Sequence, residues 1–285
     1  MNHKHKQSKL RTILVPLDAS PQSLAALETA AQLAEAIGAQ LTGLYVEDAE
    51  LLSLCDYPFA REVMLYPTGS RRLNPTGLER DFRIQAQKIR KTMSLLAESS
   101  QFGWTFTVRR GRVIPEILEQ TATADLTVIG RLGSSLKKVP LGSTVQSLVE
   151  QGRGQTLILQ EKMKRTAPLL TVYSGSELSV RSLEIAVEIA RAAIGSMEIL
   201  IPAESEAAYQ KRSKEVLAKT EIEKGRQDMQ IRFRRLRGDV APALVALLWA
   251  EYRQAVVLPV DVIDGDPDAV LRLIKKISNP VLLVR

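Results

Sequence analysis

A loop with three glycines is the segment of the sequence best suited to hold an anion. It follows an apolar run that ends at Ile129 and reads GRLGSSLKKVPLGST up to Thr144. Glycines let backbone amides approach a phosphate closely, and a helix starting near Gly142 would add N–H groups, a favourable dipole and two hydroxyls. The spacing matches neither the Walker motif nor Gly-x-Gly-x-x-Gly. The pattern therefore indicates either a phosphate cradle of another type or a loop whose glycines are purely structural.

A carboxylate at the end of the first strand-like run is the second candidate. Asp18 directly follows the run TILVPL, and Ser20 and Pro21 after it predict the start of a helix. From this position a carboxylate can accept hydrogen bonds from a ribose hydroxyl, from an adenine amino group or from backbone amides of the next turn. The sequence leaves both roles open, ligand binding and turn formation.

Residue types that are scarce in the chain exclude several classes of site. The two histidines, His3 and His5, lie in a polar N-terminal segment, and Cys55 is the one cysteine. We therefore expect no Ser/His/Asp triad, no Cys/His pair, no multi-cysteine metal site and no disulfide framework. The cysteine content fits a reducing compartment, so the predicted location is cytoplasmic. No apolar run approaches the roughly 18 residues that span a bilayer, so no membrane span is expected.

The two candidate segments lie in a chain of 285 residues that alternates strand-like and helix-like patterns. This alternation predicts parallel strands joined by helical crossovers. The predicted order in the first half is strand 12–17, helix 21–37, strand 40–46, an irregular stretch at about 47–75, helix 77–98, strand 105–109, helix 113–121, strand 126–129, helix 143–149 and strand 156–160. Ligands bind beyond the carboxyl ends of such strands, so Asp18 and the glycine loop are predicted to lie at one edge of the sheet.

The same order recurs from about residue 168, which indicates an internal duplication. Residues 13–20 (ILVPLDAS) can be laid over residues 169–176 (LLTVYSGS), and the pattern Gly-x-Val-x-Pro occurs at 111–115 and again at 238–242. We therefore predict an α/β fold of two tandem open-sheet domains, each with a mostly parallel five-stranded sheet and helices on both faces. The predicted divisions are a basic tail at 1–10, a first domain at 11–161 and a second domain at 162–285.

These motifs resemble the universal stress protein family in its tandem-domain form. The likeness is carried by ILVPLDAS before a helix, Gly-x-Val-x-Pro before the fourth strand, VIGRLGSS after it, and a Gly-Ser pair that opens the last helix. It covers nearly the whole chain and is more specific in the first half than in the second. The resemblance implies a Rossmann-like fold of the adenine-nucleotide-binding type. It also implies a cytoplasmic stress-response regulatory protein that binds ATP, ADP or AMP, with Mg²⁺ as an accompanying ion.

Transferred position by position, the family's nucleotide motif places the site in the first domain. Gly130, Gly133, Gly142, Ser143 and Thr144 match positions that bind phosphates and ribose. Pro16, Leu17, Asp18 and Val46 match positions beside the adenine, and Ile129 directly precedes the glycine loop. Between Gly133 and Gly142 the loop is one residue shorter than the family pattern, and Pro140 within it lacks an amide donor. The choice between ATP, ADP and AMP therefore stays open.

The second half departs from this motif. Ser174 stands where the first half has Asp18, and Pro259 stands where it has Gly130. The loop that follows contains the aspartates Asp261, Asp264, Asp266 and Asp268. Carboxylates would repel a phosphate, and their spacing does not match an EF-hand, so we expect turn and helix-capping roles. The second domain is predicted to be a degenerate copy that packs on the first as a second subunit would in a dimer of the family.

Features outside the motif allow further interpretations. The apolar residues Tyr57, Phe59, Met64 and Tyr66 form either a lid over a ligand or a surface cover for the segment 47–75. The chain has a formal net charge of +7, and Arg232, Arg234, Arg235 and Arg237 alternate with apolar residues. That alternation is typical of a solvated edge strand, so we do not expect the alternative, a nucleic-acid platform. Trp104 and Trp249 are predicted to pack in the core.

Three functions are consistent with these residues. The leading one is a regulatory protein that binds an adenine nucleotide in the first domain and transmits the bound state to an unknown protein partner. The second is slow ATP hydrolysis in the same cradle, for which the sequence offers no evident general base. The third is a nucleotide-free interaction scaffold. A homodimer of the tandem chain is compatible with each.

Overall fold

The computed structural model describes residues 10–64, 69–99, 102–131, 141–160, 167–223, 229–250, 255–263 and 265–285. The strands are β1 (Thr12–Leu17), β2 (Gln40–Asp48), β3 (Arg61–Met64), β4 (Gly69–Arg72), β5 (Trp104–Gly111), β6 (Leu126–Gly130), β7 (Gln155–Leu159), β8 (Leu169–Val172), β9 (Ser196–Pro202), β10 (Gln230–Leu236), β11 (Val256–Pro259) and β12 (Val281–Val284). The helices are α1 (Pro21–Ile37), α2 (Ala49–Leu54), α3 (Pro75–Ser99), α4 (Val113–Thr121), α5 (Ser143–Gln151), α6 (Glu177–Ile189), α7 (Glu206–Glu223), α8 (Val240–Ala250) and α9 (Pro267–Lys276). A π turn continues α6, and a 3-10 turn at Val260–Ile263 follows β11.

One ten-stranded sheet runs through the molecule, in the order β10-β9-β8-β11-β12-β7-β6-β1-β2-β5. Within each half, all neighbouring strands of this sheet are parallel. If the five strands of each half are numbered 1 to 5 along the chain, both halves show the order 3-2-1-4-5. The halves meet where β7 and β12 pair antiparallel, with Leu157 opposite Leu282. The prediction of an α/β fold with a five-stranded parallel sheet in each half is confirmed, and β7 and β12 join these two sheets into one.

Burial explains why the halves join along these two strands. All five residues of β7 and all four residues of β12 are buried, and neither strand carries a charged side chain. Left unpaired, each would expose an apolar edge with free backbone groups, and pairing removes both edges at once. The outer strands β5 and β10 are instead rich in arginine, as is typical of edges that remain in water.

Two layers of helices cover the sheet. The helices α1, α3, α6 and α7 bury apolar side chains in a core on one face, and α4, α5, α8 and α9 do so on the other. Each layer is continuous across the two halves, because α1 contacts α6 in one layer and α5 contacts α9 in the other. None of the described helices is long and apolar enough to cross a membrane.

The segment predicted to be irregular, 47–75, is folded over its described residues. The β2 strand continues to Asp48, whose Oδ1 accepts a hydrogen bond from the Glu50 backbone N–H at 2.8 Å and caps α2. Beyond α2, the strands β3 and β4 pair antiparallel. The helix was missed because it buries none of its residues and so carries no apolar periodicity.

The two tryptophans differ in their environment. Trp104 is half-buried and packs against the core, as predicted. Trp249 is 73% exposed, so its predicted core position is wrong. Its indole Nε1 donates to the backbone oxygen of Lys276 at 3.0 Å, at the end of α9. The sequence of α8 is apolar on every side, so its pattern did not indicate which face would be buried.

Candidate functional site

The candidate site lies where β1 and β6 separate at their carboxyl ends. Their pairing consists of Ile13 with Leu126 and Leu14 with Thr127, while β1 stays paired with β2 up to Leu17. The chain passes from β1 to β2 on one side and returns to β6 on the other, so strand order reverses here. In open α/β sheets such a crevice is the usual place for a ligand.

Four of the predicted site residues are assigned to one face of this crevice. Ile129 belongs to the core under α4 and α5, and Val46 packs against the same core. Leu14 also belongs to that core, so the two-residue alternation of β1 assigns Pro16 to the same face, and the same alternation continued one residue beyond the end of β1 assigns Asp18 to it. The last registered pair of β1 and β2 is Leu17 with Tyr45, so Asp18 and Val46 are the next residues on adjacent strands.

Leu17 is separated from this group. Its side chain is buried in the core on the opposite face, together with residues of α1 and α3. Only its backbone remains near the crevice, so a contact between the Leu17 side chain and a ligand on the α4 and α5 face is not supported.

Asp18 forms the turn that connects β1 to α1. Its Oδ1 accepts a hydrogen bond from the Ser20 backbone N–H at 3.0 Å, and its own N–H donates to the Ser23 Oγ at 3.4 Å. Ala19, between them, has a φ of 60°, a left-handed conformation that is uncommon outside glycine. Burial raises the pKa of Asp18, but the hydrogen bonds from Ser20 and Ser23 outweigh burial and hold the pKa below 3.8. The carboxylate is therefore ionised at neutral pH.

The second half builds the same turn without a carboxylate. Ser174 Oγ accepts a hydrogen bond from the Ser176 backbone N–H at 3.4 Å, and the Gly175 N–H donates to the Ser179 Oγ at 3.0 Å. Gly175 has a φ of 94°, in the position of Ala19. A hydroxyl is thus sufficient for the turn, which leaves the negative charge of Asp18 unexplained by the turn alone.

The start of α5 offers backbone donors, and its N-cap residue has no side chain. Gly142 precedes the helix with a φ of −57° and a ψ of 145°, and as a glycine it has no side chain that could cap the helix. The first turn contains no acidic residue. Ser143 is exposed and Thr144 is half-buried, and the first-turn N–H groups of a helix have no partner within the helix. Gly133 and the rest of 132–140 lie outside the described residues.

The corresponding start of α9 is occupied by the chain itself. Asp266 accepts hydrogen bonds from the backbone N–H groups of Asp268 at 3.1 Å and Ala269 at 3.2 Å, one on each carboxylate oxygen. Asp268 adds a second carboxylate in the first turn. The capping role predicted for this loop is therefore confirmed at Asp266, whereas Asp264 lies outside the described residues.

Gly130 is required for packing whether or not a ligand binds. A Cβ atom at this position would lie 2.6 Å from the backbone oxygen of Gln22 in α1. The glycine thus allows α1 to approach β6 closely, which is a role also known from glycines of dinucleotide-binding folds. Its place in the motif is therefore not by itself evidence for a phosphate.

Two arginines that the sequence analysis missed connect the site to the other half. Arg131, directly after Gly130, donates from Nη1 to the backbone oxygens of Ile274 at 2.9 Å and Ile277 at 3.4 Å, at the end of α9. Arg285 donates from Nη2 to the backbone oxygens of Leu148 at 2.9 Å and Val149 at 2.7 Å, at the end of α5. Burial lowers the pKa of both guanidinium groups. No sequence motif indicates these contacts, since each crosses between halves.

A cleft of about 160 Å³ lies on the other side of Gly130, on the α1 face. It is lined by Pro21, Gln22, Ala25, Ala26, Gly130, Arg131, Leu159 and Gln160. Ligand pockets usually measure about 300–1,000 Å³, so this cleft is too small for a nucleotide.

The predicted lid lies only partly within the described residues, whereas the arginine-rich strand β10 is described over its whole length. Tyr57 and Phe59 have ring centroids 5.6 Å apart and are 52% and 78% exposed. Tyr66 and the side chain of Met64 lie outside the described residues, so the lid stays a prediction. On β10, Arg234 forms a 2.6 Å ion pair with Glu198, and Arg235 donates to the backbone oxygen of Ala203 at 2.9 Å. These contacts favour the edge-strand interpretation over a nucleic-acid platform.

Comparison with known proteins identifies what the chain resembles. Residues 9–159, more than half of the chain, match the model of the universal stress protein family. No curated protein sequence matches. The structure is similar to a universal stress protein from Archaeoglobus fulgidus DSM 4304, at 16% identity and a TM-score of 0.70 over 97% of this chain and 98% of that one.

Two further solved structures align over almost the whole chain. One is a functionally unknown protein from Pseudomonas aeruginosa PAO1, at 16% identity and a TM-score of 0.59 over 96% of this chain and 92% of that one. The other is the cytoplasmic domain of a prokaryotic cation chloride cotransporter, at 10% identity and a TM-score of 0.58 over 96% and 95%. At such identities the likeness is one of fold.

Proposed function

Because the chain belongs to the universal stress protein family, we propose that its first half binds an adenine nucleotide at the carboxyl ends of β1, β2 and β6. The observation that carries this proposal is the start of α5. There the N-cap residue is Gly142, which has no side chain to cap the helix, whereas the same position in the second half holds the carboxylate of Asp266.

Asp266 supports the proposed phosphate position, because it shows an anion bound at the start of the equivalent helix α9. Its two oxygens accept two first-turn N–H groups of α9, so an anion in this position satisfies donors that have no partner within the helix. Gly142 brings no such group to α5. A phosphate can take the equivalent place, with the Ser143 and Thr144 hydroxyls as additional donors.

The adenosine would lie against the crevice between β1 and β2. Val46 and Ile129 would supply apolar surface on the face to which strand alternation also assigns Pro16 and Asp18. The Asp18 carboxylate can accept a hydrogen bond from the adenine amino group or from a ribose hydroxyl. The comparison with Ser174 supports this role, because the turn itself forms with a hydroxyl in the second half.

The ligand we propose is ATP, ADP or AMP. Among the described residues, no group of three or more His, Cys, Asp and Glu side chains could hold a metal ion. If Mg²⁺ accompanies a di- or triphosphate, the phosphates and water would supply most of its ligands, as is common for this ion. The protein would contribute no dedicated metal cage from these residues.

The biological role we propose is regulatory and cytoplasmic. A bound nucleotide would stabilise one arrangement of the segment between β6 and α5, and a protein partner would bind that arrangement preferentially. The second half fits the role of an internal partner, because its equivalent site is filled by its own carboxylate.

The proposal is tested by denaturing freshly purified protein and identifying released nucleotide by mass spectrometry. We expect a near-stoichiometric adenine nucleotide from the wild type and a strongly reduced amount from Gly142→Val. Valine adopts the backbone angles of Gly142 without strain, so this variant should fold while its side chain obstructs the start of α5. No released nucleotide, together with no heat of binding on titration with ATP, ADP or AMP, would contradict the proposal and favour the scaffold.

A further inference from the structure

The helix α8 has an apolar surface that nothing in the described structure covers. Its eleven residues, VAPALVALLWA, include no charged side chain, and its one polar side-chain group is the indole N–H of Trp249. Leu244 and Leu248 are buried beneath the helix. A stripe of exposed residues runs along the outside at the spacing of one helical face: Pro242, Ala246, Trp249 and Ala250.

The matching helix of the first half shows that the fold does not require this surface. The repeated Gly-x-Val-x-Pro pattern aligns the sequence of α4 with that of α8. Polar residues Glu116, Glu119 and Gln120 of α4 correspond to Ala243, Ala246 and Leu247 of α8, and Ala122 corresponds to Trp249. An outer helix at this position can therefore be amphipathic. In α8 the polar face has been replaced by small and large apolar side chains, which is typical of an interaction surface.

The neighbouring helix α9 gives this surface two oppositely charged ends. Both helices connect parallel strands on the same face of the sheet, so they run in the same direction. Trp249 donates to the backbone oxygen of Lys276, which places the carboxyl ends of α8 and α9 together. Exposed Lys275 and Lys276 lie at that end, and exposed Asp268 lies at the opposite end of α9.

We propose that the α8 surface, meaning the stripe Pro242, Ala246, Trp249 and Ala250 with the flanking α9, binds the α8 surface of a second copy of this chain. A two-fold axis would set the two α8 helices antiparallel, so that the basic end of each copy faces the acidic end of the other. The small Ala246 and Ala250 side chains allow close approach of the helices. Trp249 supplies the large buried side chain that often dominates such contacts.

The charge pattern favours a second copy over a lipid surface. An anionic membrane would attract Lys275 and Lys276 but repel Asp268 and Asp261, because a flat surface meets both ends at once. An antiparallel copy satisfies both ends together. The interface between β7 and β12 is already used inside the chain, so this dimer would be a second and different contact.

Sedimentation velocity over a concentration series tests the proposal. The wild type is expected to dimerise reversibly, and Ala246→Glu, at an exposed position, is expected to weaken the dimer at least about tenfold by placing charge in an apolar contact. The matched control is Ala122→Glu at the end of α4, which should leave self-association unchanged. A wild type that stays monomeric up to its solubility limit would overturn the proposal, as would a dimer that Ala246→Glu does not weaken.

Charge reversal tests the antiparallel arrangement. A variant with Lys275→Glu and Lys276→Glu should self-associate poorly, because both ends of its surface are acidic. A variant with Asp261→Lys and Asp268→Lys should also self-associate poorly, because both ends of its surface are then basic. Mixing the two should restore dimers in the form of a mixed pair, and failure of the mixture to associate would overturn the antiparallel pairing. Wild type that sediments with phosphatidylcholine and phosphatidylserine vesicles but never dimerises would assign the surface to membranes instead.

Discussion

Gly142 and Asp266 occupy the same position in the two halves, immediately before the helix that leads into the last strand. Asp266 accepts hydrogen bonds from two backbone N–H groups of α9, whereas Gly142 has no side chain that could do the same for α5. The two halves thus begin equivalent helices differently: the residue before α9 supplies a carboxylate, and the residue before α5 supplies no side chain. This difference supports the proposal that the first half binds the ligand.

Gly130→Ala is expected to destabilise the fold. The new Cβ would lie 2.6 Å from the Gln22 backbone oxygen, and neither backbone can move away cheaply. Overpacking of this kind costs about 1–3 kcal/mol, measurable as a loss in the free energy of unfolding by denaturant titration. The control is Gly103→Ala, where the nearest atom would be a Gln40 side-chain carbon at 3.6 Å. Equal stability of the two variants would contradict the close approach of α1 to β6.

Asp18→Asn is expected to lower stability in a way that depends on pH. The hydrogen bonds of Ser20 and Ser23 hold the pKa of Asp18 below 3.8 in the folded protein, so folding favours the ionised carboxylate. That contribution is complete above pH 3.8 and is lost as the pH falls through the folded-state pKa. The difference in unfolding free energy between wild type and Asp18→Asn should therefore shrink as the pH is lowered below 3.8.

The second half supplies the control for this titration. Ser174 occupies the position of Asp18 and accepts a similar hydrogen bond, but it does not titrate in this range. Ser174→Ala should therefore lower stability by an amount that is the same at neutral and acidic pH. A difference for Asp18→Asn that stays constant through the acidic range would show that the charge of Asp18 contributes nothing to the turn.

Arg131→Ala and Arg285→Ala are each expected to weaken the contact between the halves. Each arginine donates to the last carbonyl groups of a helix in the other half, where the helix dipole favours a cation. Hydrogen bonds from charged donors contribute about 1.5–3 kcal/mol, so each variant should lower the free energy of unfolding by about that amount. Arg181→Ala removes one exposed hydrogen bond to the Arg285 backbone oxygen and should cost less than about 0.5 kcal/mol. If Arg131→Ala and Arg285→Ala are as stable as the control Arg181→Ala, the contacts of Arg131 and Arg285 do not hold the halves together.

Local patterns in the sequence predicted most of the helices and strands. The helix 113–121 has the predicted bounds, because its apolar residues recur at helical spacing shortly after β5 ends at Gly111. The segment 47–75 was missed because α2 is set by a capping carboxylate, Asp48, rather than by a buried face. Its hairpin likewise has no apolar alternation that would predict two strands.

Contacts between the halves could not be predicted in the same way. One feature of the sequence indicates the pairing of β7 with β12. Their sequences TLIL and VLLV are both uncharged, so neither strand suits an exposed edge of a sheet. No feature of the sequence indicates the contacts of Arg131 and Arg285, because these contacts depend on which helix ends meet in space. The exposure of Trp249 likewise follows from the placement of α8 rather than from its apolar sequence.

The candidate site was predictable in its parts but not in its arrangement. The motif indicated Asp18, Val46 and Ile129, and their shared face follows from strand alternation once the register of β1 and β2 is known. The same alternation removes the Leu17 side chain from the site, which the motif alone could not do. The universal stress protein resemblance drawn from these residues is confirmed by the family match.

The most direct test of the central claim is a calorimetric titration of Gly142→Asp with ATP, ADP and AMP, beside wild type and Asp266→Gly. Gly142→Asp copies the second half, so its carboxylate should cap α5 and weaken nucleotide binding more than about tenfold. Its stability should change by only about a few tenths of a kcal/mol, as for other exchanges between aspartate and glycine at this helix position. Asp266→Gly should bind like the wild type. A Gly142→Asp protein that binds nucleotide as tightly as the wild type would contradict the account, because the start of α5 would then not be the phosphate site.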